Sequence, residues 1–585
     1  MKSWSIFGCG PAGLYSAWRL LSSGKIAAGD ELDLYDWGKY QFDNDTPGTR
    51  EAAGRICTYH FQKDPSHSYI EVGGMRFIQW DGSDGGAGHR LVSQVVKELN
   101  LSDSVVPFGT TEDPLFYLRE KNFYSSEISA KNPAPYNADH GLAAKTPTDA
   151  TNYVADKVLG KDGPGTRKDQ CEFYQKGKIP DGFESPAFKP GDPLKNIGYW
   201  NLMYDQLGSE GYNYVAAGGG YQSNVINWNS ADALIYNSEF APGGTFKTLD
   251  KGYSSLFSAL FKAIVSLAKA NRVKLAYRPN VRVRSIWLDP NDGDRITFSL
   301  AKASAPSKSV KVGTTDYAFL AMPPGSLDIL AEGTRYDSSN IVDVLNAEKV
   351  ALYRDSVLKQ PSYKVAMFFH SEWWKDAKYP PRLKNKSDFG PTITDTPLRQ
   401  IYYFGDNAPV GDLGPPVYGM LASYDDERFV RYWNEMELPV GETRKVPRSE
   451  ETQPLTGPRK ATPQMVNTLR SQLARVHWGK EGKASQVPEP LETVFMDWGQ
   501  KPFSAGYHAW AAHYDIDDVM QKIRQPTQLI DGHDANLFIV GSAYSNDQAW
   551  VEGAFCTSES VLSDILKIDP IISPEDYPFI CACPR

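Results

Sequence analysis

The chemistry-bearing residues of this chain begin at Gly8-Cys9-Gly10-Pro11-Ala12-Gly13. The stretch follows an apolar run at 4–7 and opens a segment with helical periodicity, so it reads as a turn between a strand and a helix. Glycines at this spacing permit a tight bend, close approach of a pyrophosphate to the backbone, and packing of the next helix on the sheet. The helix N-terminus then faces the phosphates. A second strand, Glu31–Tyr35, ends at Asp36, about the spacing at which an acid meets a ribose hydroxyl. A lone glycine pattern is also made by ordinary turns. Strand, turn, amphipathic helix, second strand and terminal acid, in that order, specify a dinucleotide-binding unit. At the far end of the chain, Gly541-Ser542 follows another apolar run at 537–540. The six cysteines are scattered: Cys9 lies inside the glycine turn, and Cys581 and Cys583 form a lone C-x-C in the tail. Without further ligands at metal-site spacing, solvated tail thiols and no metal site are expected.

These residues need a large scaffold. At 585 residues the chain exceeds one hydrophobic core, so two or three domains are expected. With 41% hydrophobic and 23% charged residues it has the composition of a globular protein. A net charge of -9 argues against a general nucleic-acid or anionic-membrane surface. No apolar stretch approaches the roughly 20 residues that span a bilayer. The first strand starts within a few residues of Met1, so a cytoplasmic protein, or the mature form of a processed secreted chain, is expected. The first sixty residues read β-α-β and then a polar loop at 43–50. Residues 107–243, dominated by Asn, Asp, Gly, Pro and Tyr, read as an insertion of short helices and long loops rather than a core. A helix is predicted from Gly252 to about Ala270, strands at 273–277, 281–287, 317–321, 364–369, 400–404 and 417–423, and a final helix from Asp547 to about Leu566. Residues 425–460, rich in charge, Pro and Gly, read as surface connection. The nucleotide-binding pieces are thus spread over both ends and the middle, which suggests a nucleotide domain interrupted by substrate-domain insertions.

Taken together these residues resemble the flavin-containing amine oxidase superfamily and, within it, the L-amino acid oxidases. The resemblance implies an α/β fold (α+β overall): a Rossmann-like FAD-binding domain of the glutathione-reductase/amine-oxidase type, a mixed-sheet substrate domain, and a helical and loop insertion acting as a lid. The corresponding segments are 1–60, 245–325 and 530–570 for FAD, 61–106 and 326–529 for substrate, and 107–244 for the lid. The FAD contacts it implies are Gly8, Gly10, Pro11, Ala12, Gly13 and Asp36, with Arg55 after Gly54, where Ala53 replaces the family's first glycine. Val283 in the V-x-x-I strand meets the adenine through its backbone. Gly541 and Ser542 stand where the family has Gly-Glu. Gly74, Met75, Arg76, Trp550 and Val551 complete the implied cofactor contacts.

The residues that choose the chemistry carry the narrower resemblance. Gly73-Gly74-Met75-Arg76 resembles the G-x-M-R motif of amino acid oxidases, whose arginine clamps the substrate carboxylate. A guanidinium fork matches a carboxylate bidentately and stays charged when desolvated. Lys364 resembles the flavin-facing lysine tied to oxygen reactivity. Tyr402 and Tyr403 resemble paired tyrosines, one of which bonds the carboxylate. Ala549-Trp550 resembles the Gly-Trp pair whose first backbone carbonyl takes the substrate amine, and Trp510 is a wall of the site. Residues 502–510 occupy the place of the flavin-bonded cysteine of monoamine oxidases and contain none, which implies non-covalent FAD. A base at His508 or His513 is less expected than a hydrogen-bonded structural role. The implied reaction is oxidation of an L-amino acid to the 2-oxo acid, with ammonia and hydrogen peroxide released and oxygen as electron acceptor. Three alternatives stay open: an amino-acid 2-monooxygenase, an amine or polyamine oxidase, and a flavin-free binding module resembling GDP-dissociation inhibitors. The expected partners are the amino acid and oxygen; a homodimer is an option the resemblance brings, and the preferred side chain is left open.

Overall fold

The computed structural model describes residues 1–38, 51–80, 82, 88–109, 111, 113–160, 163–239, 246–302, 309–337, 341–375, 389–408, 415–447, 453–575 and 577–581. The polar loop expected at 43–50, and Cys583, lie outside the described residues.

The nucleotide unit is a five-stranded sheet in the order Lys274–Arg278, Glu31–Tyr35, Ser3–Phe7, Tyr317–Leu320 and Leu537–Ile539. Every neighbouring pair is parallel. The inner strands are short and largely buried because both faces of the sheet are covered, while Glu31–Tyr35 and the edge strand Lys274–Arg278 carry exposed charges. On one face the helices Pro11–Ser22, Ser254–Ala270 and Val551–Ser560 pack through Leu14, Leu20, Leu256, Leu260 and Phe555, all fully buried. A buried fork joins the first and last of them: Arg19 donates to both oxygens of Glu559 at 2.9 and 2.8 Å, and the Tyr15 hydroxyl donates at 2.6 Å. On the other face Phe7 and Tyr35 meet Phe298 of the antiparallel sheet Val281–Asp289, Arg295–Lys302 and Ser309–Thr315.

The second large layer is an eight-stranded sheet in the order Arg459–Lys460, Glu492–Asp497, Ser362–Phe369, Tyr418–Asp426, Gln400–Gly405, Thr392–Thr394, Leu115–Leu118 and Lys121–Tyr124. Its only parallel pair joins Thr392–Thr394 to Leu115–Leu118, so this is the mixed sheet expected. Its last two strands come from within 107–243.

Three expectations are corrected. Residues 107–243 contribute to a core: the helices Pro147–Leu159, Arg167–Lys176, Tyr199–Gly218 and Ser230–Glu239 bury Val154, Tyr174, Leu202, Met203, Val215 and Leu234 in one cluster with Phe7, Ile286 and Phe298. The apolar positions are diluted by glycine, asparagine and tyrosine, which hides the helical period. Residues 425–460 are not all surface connection, since Asp425, Asp426, Trp433 and Glu437 are buried. Cys581 is not a solvated thiol: it is buried and disulfide-bonded to Cys171, 410 residues away. Closing so long a loop restricts the unfolded chain, so Cys171→Ser is expected to cost about 2–4 kcal/mol, seen as a lower thermal midpoint.

Among the described residues no helix is long and apolar enough to cross a membrane, and no group of three or more His, Cys, Asp or Glu is placed to hold a metal ion.

Candidate active site

The two layers enclose a cavity of about 420 Å³ reached by residues from every part of the chain. At one end the turn after Ser3–Phe7 presents Gly8, Gly10, Pro11 and Ala12, with Asp36 beside them. Gly8 has φ +111, and a Cβ there would run into the carbonyl oxygen of Ala321; a Cβ on Gly13 would meet the carbonyl oxygen of Gly8. Gly13 does not line the cavity; its smallness seats the helix Pro11–Ser22 against the turn. Asp36 receives the backbone N–H of Cys9 at 2.6 Å and of Gly38 at 2.7 Å, which fixes the carboxylate at the mouth of the turn. Arg55, Gly74, Met75, Val283, Gly541, Ser542 and Val551 also line the cavity. Arg55 donates to the Gly506 carbonyl at 2.8 Å, and burial lowers its guanidinium to about 10. A glycine-floored trough with a carboxylate at one strand end and a helix N-terminus over it fits a dinucleotide. Gly8→Ala is expected to abolish cofactor retention, measured as colourless protein, because both its φ and the Ala321 carbonyl exclude a side chain.

At the other end Arg76, Lys364, Ala549 and Trp550 share the cavity wall. The backbone leading to Arg76 is held from both sides. The N–H groups of Val72 and Gly73 donate to the Cys57 carbonyl and that of Gly74 to Arg55, while Trp498 Nε1 donates to the Val72 carbonyl at 2.6 Å. Lys364 Nζ donates to the Gly73 carbonyl at 2.5 Å and the Glu71 carbonyl at 3.4 Å. The Arg76 guanidinium lies 3.9 Å from the Phe246 ring centre and 5.2 Å from that of Phe108, and has no salt-bridge partner among the described residues. Aromatic faces hold the cation without neutralising it, so the charge remains available to an anion.

Lys364 is buried, with Nζ 4.2 Å over the Tyr424 ring. Burial pulls its ammonium from 10.5 down to about 7; Glu71 opposes the fall and the Arg76 charge adds to it. Burial likewise lifts the Glu71 carboxyl to about 7, against the N–H of Tyr253 at 2.6 Å and the Thr58 hydroxyl that donate to it. Glu71 thereby ties the strand before Arg76 to the start of the helix Ser254–Ala270.

Three expected wall residues do not line the cavity. Tyr402 sits one layer back, its hydroxyl donating to Gln400 Oε1 at 3.0 Å and lying 3.5 Å from that of Tyr221, which does line it. Tyr403 points to the opposite sheet face, among Trp373, Trp374 and Leu473, with its hydroxyl 2.9 Å from Thr392 Oγ1 and 3.1 Å from His477 Nε2. Neighbours on a strand face opposite ways, so the pair cannot both reach one site. Trp510 is buried behind Tyr544, and its Nε1 donates to the Ser545 carbonyl at 3.2 Å. His513 is exposed; His508 lines a small side chamber with Gln360 and Gln548, and burial pushes its imidazole well below the usual range, which makes it a poor base.

The cavity also takes Tyr221, Asn224 and Tyr236 from residues 107–243, Tyr424 from the large sheet and Trp498 from the turn just after its strand Glu492–Asp497. None of these stood out in the sequence. Tyr424 reaches Lys364 because the two are register partners in adjacent strands, a pairing that no local pattern announces.

The sequence profile of the flavin containing amine oxidoreductases matches residues 51–561, most of the chain. The chain belongs to that family. Membership makes it a flavin-dependent oxidoreductase. Curated relatives include Aplysianin-A of Aplysia kurodai, 24% identical over 96% of this chain and 90% of that protein. Achacin of Lissachatina fulica is 25% identical over 95% and 92%. A protein of Dictyostelium discoideum described as a bifunctional amine oxidase is 22% identical over 96% of this chain and 46% of its own length. Among solved structures, a putrescine oxidase with a redesigned cofactor site superposes with a TM-score of 0.59 at 12% identity, covering 97% of this chain and 98% of that one, and so shares the fold.

Proposed function

We propose that this amine oxidoreductase is an FAD-dependent L-amino acid oxidase. The observation that carries this reading is Arg76: a guanidinium on the cavity wall, set on two aromatic rings and without an ion-pair partner among the described residues, beside the buried amine of Lys364. An amine lacking a carboxylate gives such an arginine nothing to bind.

Gly8, Gly10, Pro11, Ala12, Asp36, Arg55, Val283, Gly541, Ser542 and Val551 would hold FAD, with Gly13 supporting the turn. When bound, it supplies the two-electron oxidant for the C–N bond and passes the electrons to oxygen. Non-covalent attachment is supported by the lining, which contains no cysteine or histidine among the described residues. The chain's own part is recognition and orientation. Arg76 takes the substrate carboxylate through two parallel N–H donors. The Ala549 carbonyl accepts an amine N–H. Two fixed contacts on the same α-carbon leave its hydrogen one direction to point, which is the entropic part of the catalysis. Phe246, Trp550, Tyr424 and Tyr507 exclude water around these contacts. The products are the imino acid, hydrolysed in water to the 2-oxo acid and ammonia, and hydrogen peroxide. The buried disulfide supports maturation in an oxidising compartment and therefore the secreted, processed form over the cytoplasmic one.

The test is a visible spectrum of the purified protein followed by anaerobic addition of each L-amino acid. The expected result is a yellow protein that bleaches with one or several of them and recovers colour in air with release of peroxide and ammonia. Bleaching by amines alone, or recovery in air with an amide as product, would sink the reading in favour of an amine oxidase or a 2-monooxygenase.

A further inference from the structure

The turn carrying Ala549 and Trp550 is held by a part of the chain that the reaction itself does not use. Ala549 has φ +70, a backbone conformation that alanine adopts only when its surroundings impose it. Of the two residues that begin the turn, Asn546 is anchored to the C-terminal segment 577–581 directly and Asp547 through Arg167. Asn546 accepts the Cys581 N–H at 3.0 Å through Oδ1, while its Nδ2 lies 2.5 Å from Cys581 Sγ. Asp547 forms a two-pronged pair with Arg167, at 2.9 and 2.6 Å, with both side chains more than nine-tenths buried.

Arg167 is the hub. Besides Asp547 it donates to the Pro578 carbonyl at 2.7 Å, the Phe579 carbonyl at 3.3 Å and the Tyr577 hydroxyl at 3.2 Å, and its guanidinium lies 4.2 Å over the Tyr577 ring. Tyr577 in turn donates to Glu552, whose carboxylate receives the first N–H groups of the helix Arg90–Glu98. Arg167 begins the helix Arg167–Lys176, and the same helix carries Cys171, the disulfide partner of Cys581. The tail is therefore fastened to this helix twice, by a covalent bond and by a guanidinium, and the turn is fastened to both.

The far side of the turn reaches the carboxylate end of the cavity. The Trp550 ring stacks on Phe246 with centres 6.2 Å apart and planes 12° apart, and Phe246 is the ring beneath the Arg76 guanidinium. A displacement at Asp547 is thus transmitted to the amine contact through Ala549 and to the carboxylate contact through Trp550 and Phe246.

We propose that Arg167, with the disulfide-tethered segment 577–581, is the positioning device of the substrate site. It sets the Ala549 carbonyl and the Trp550–Phe246–Arg76 stack at the separation an α-amino acid requires. The inference rests on the reading of Ala549 and Arg76 as the amine and carboxylate contacts. Burial opposes the charge on both Arg167 and Asp547, and each holds the other ionised, so neither side chain can be removed without disturbing the other.

The test compares wild type with Arg167→Lys, Arg167→Ala, the double variant Arg167→Ala/Asp547→Asn, and Cys171→Ser. All parameters are expressed per bound flavin, with the substrate that best reduces wild type. Arg167→Ala is expected to lower kcat/KM about 100-fold, through a higher KM as well as a lower kcat, with the flavin band retained. Arg167→Lys restores the charge without the fork and should recover part of both parameters. Cys171→Ser should shift them in the same direction by a few-fold. The double variant, which leaves no unpaired buried charge, should remain as impaired as Arg167→Ala. Unchanged kcat and KM in Arg167→Ala and Cys171→Ser, with only the thermal midpoint lowered, would overturn the proposal. If Arg167→Ala yields no folded protein, Arg167→Lys and Cys171→Ser decide by the same parameters. Reduction of wild type by amines and not by amino acids would remove the proposed substrate class. The positioning role would still be judged by the same variants acting on that amine.

Discussion

Arg76→Ala is expected to raise KM for L-amino acids about 100-fold while the protein stays yellow. A bidentate, charge-assisted contact in a desolvated site contributes about 2–5 kcal/mol when one partner is deleted, and each 1.4 kcal/mol is a factor of ten. Arg76 has no salt-bridge partner among the described residues, so its removal strands no buried carboxylate. In the proposed reading the glycine turn at Gly8–Gly13, not Arg76, takes the cofactor's phosphates, so the flavin should stay bound. Amines lacking a carboxylate supply the control: whatever residual rate they show should be unaffected, since they offer the guanidinium nothing to bind. Arg76→Lys should fall between, because an ammonium is a point charge without the fork. Equal loss for amino acids and simple amines would falsify the carboxylate role. Loss of the flavin band would assign Arg76 to the cofactor instead.

The second large effect is expected at Lys364. Lys364→Met keeps the side chain out to Cε, fills most of the same buried space, and removes the amine that donates to the Gly73 and Glu71 carbonyls. Reoxidation of the reduced enzyme in air is expected to slow about 100-fold, the scale of a well-placed polar or proton-transferring group, with anaerobic reduction by the amino acid less affected. The pH dependence gives an independent check. With an ammonium titrating at about 7, Lys364 is mostly protonated below that pH and neutral above it. The wild-type reoxidation rate should therefore bend near pH 7, and the bend should vanish in Lys364→Met. Stability follows from the same shift. Between about 7 and 10.5 the unfolded chain binds the proton that the folded chain has given up, so this group's contribution strengthens as pH rises and is lost as pH falls through 7. Lys364→Met should flatten that slope in the thermal midpoint. A slope and a reoxidation profile identical to wild type would remove Lys364 from the mechanism.

The two residues were legible to different degrees: Arg76 through a short motif and the chemistry of its fork, Lys364 only through the family resemblance, since a lysine at a strand edge is ordinarily just solvated. The glycine turn, the acid at Asp36 and the strands between them are local: each follows from φ freedom, apolar runs and spacing within about thirty residues. Neither the motif around Arg76 nor the resemblance at Lys364 announced that the Lys364 amine bonds the Gly73 and Glu71 carbonyls and so joins the two segments. The paired tyrosines show the limit. Two adjacent residues of one strand looked equally able to face the site, and strand alternation sends Tyr403 to the far face, while Tyr402 reaches the cavity only through Tyr221. Trp510 and Tyr544 exchange places in the same way: the nearer motif residue lies behind, and the unmarked one forms the wall.

By itself, then, the sequence determined the parallel nucleotide-binding unit, the family and the arginine of the Gly73–Arg76 motif. Each depends on intrinsic backbone freedom or on a side chain's own chemistry. Tertiary structure alone decided the rest. The register of Ser362–Phe369 against Tyr418–Asp426 put Lys364 over Tyr424. Packing of residues 107–243 brought Tyr221, Asn224 and Tyr236 to the wall. A disulfide across 410 residues brought the tail to the turn that bears Ala549. These are contacts between segments far apart along the chain, and their free energy comes from burial and pairing that no local pattern encodes.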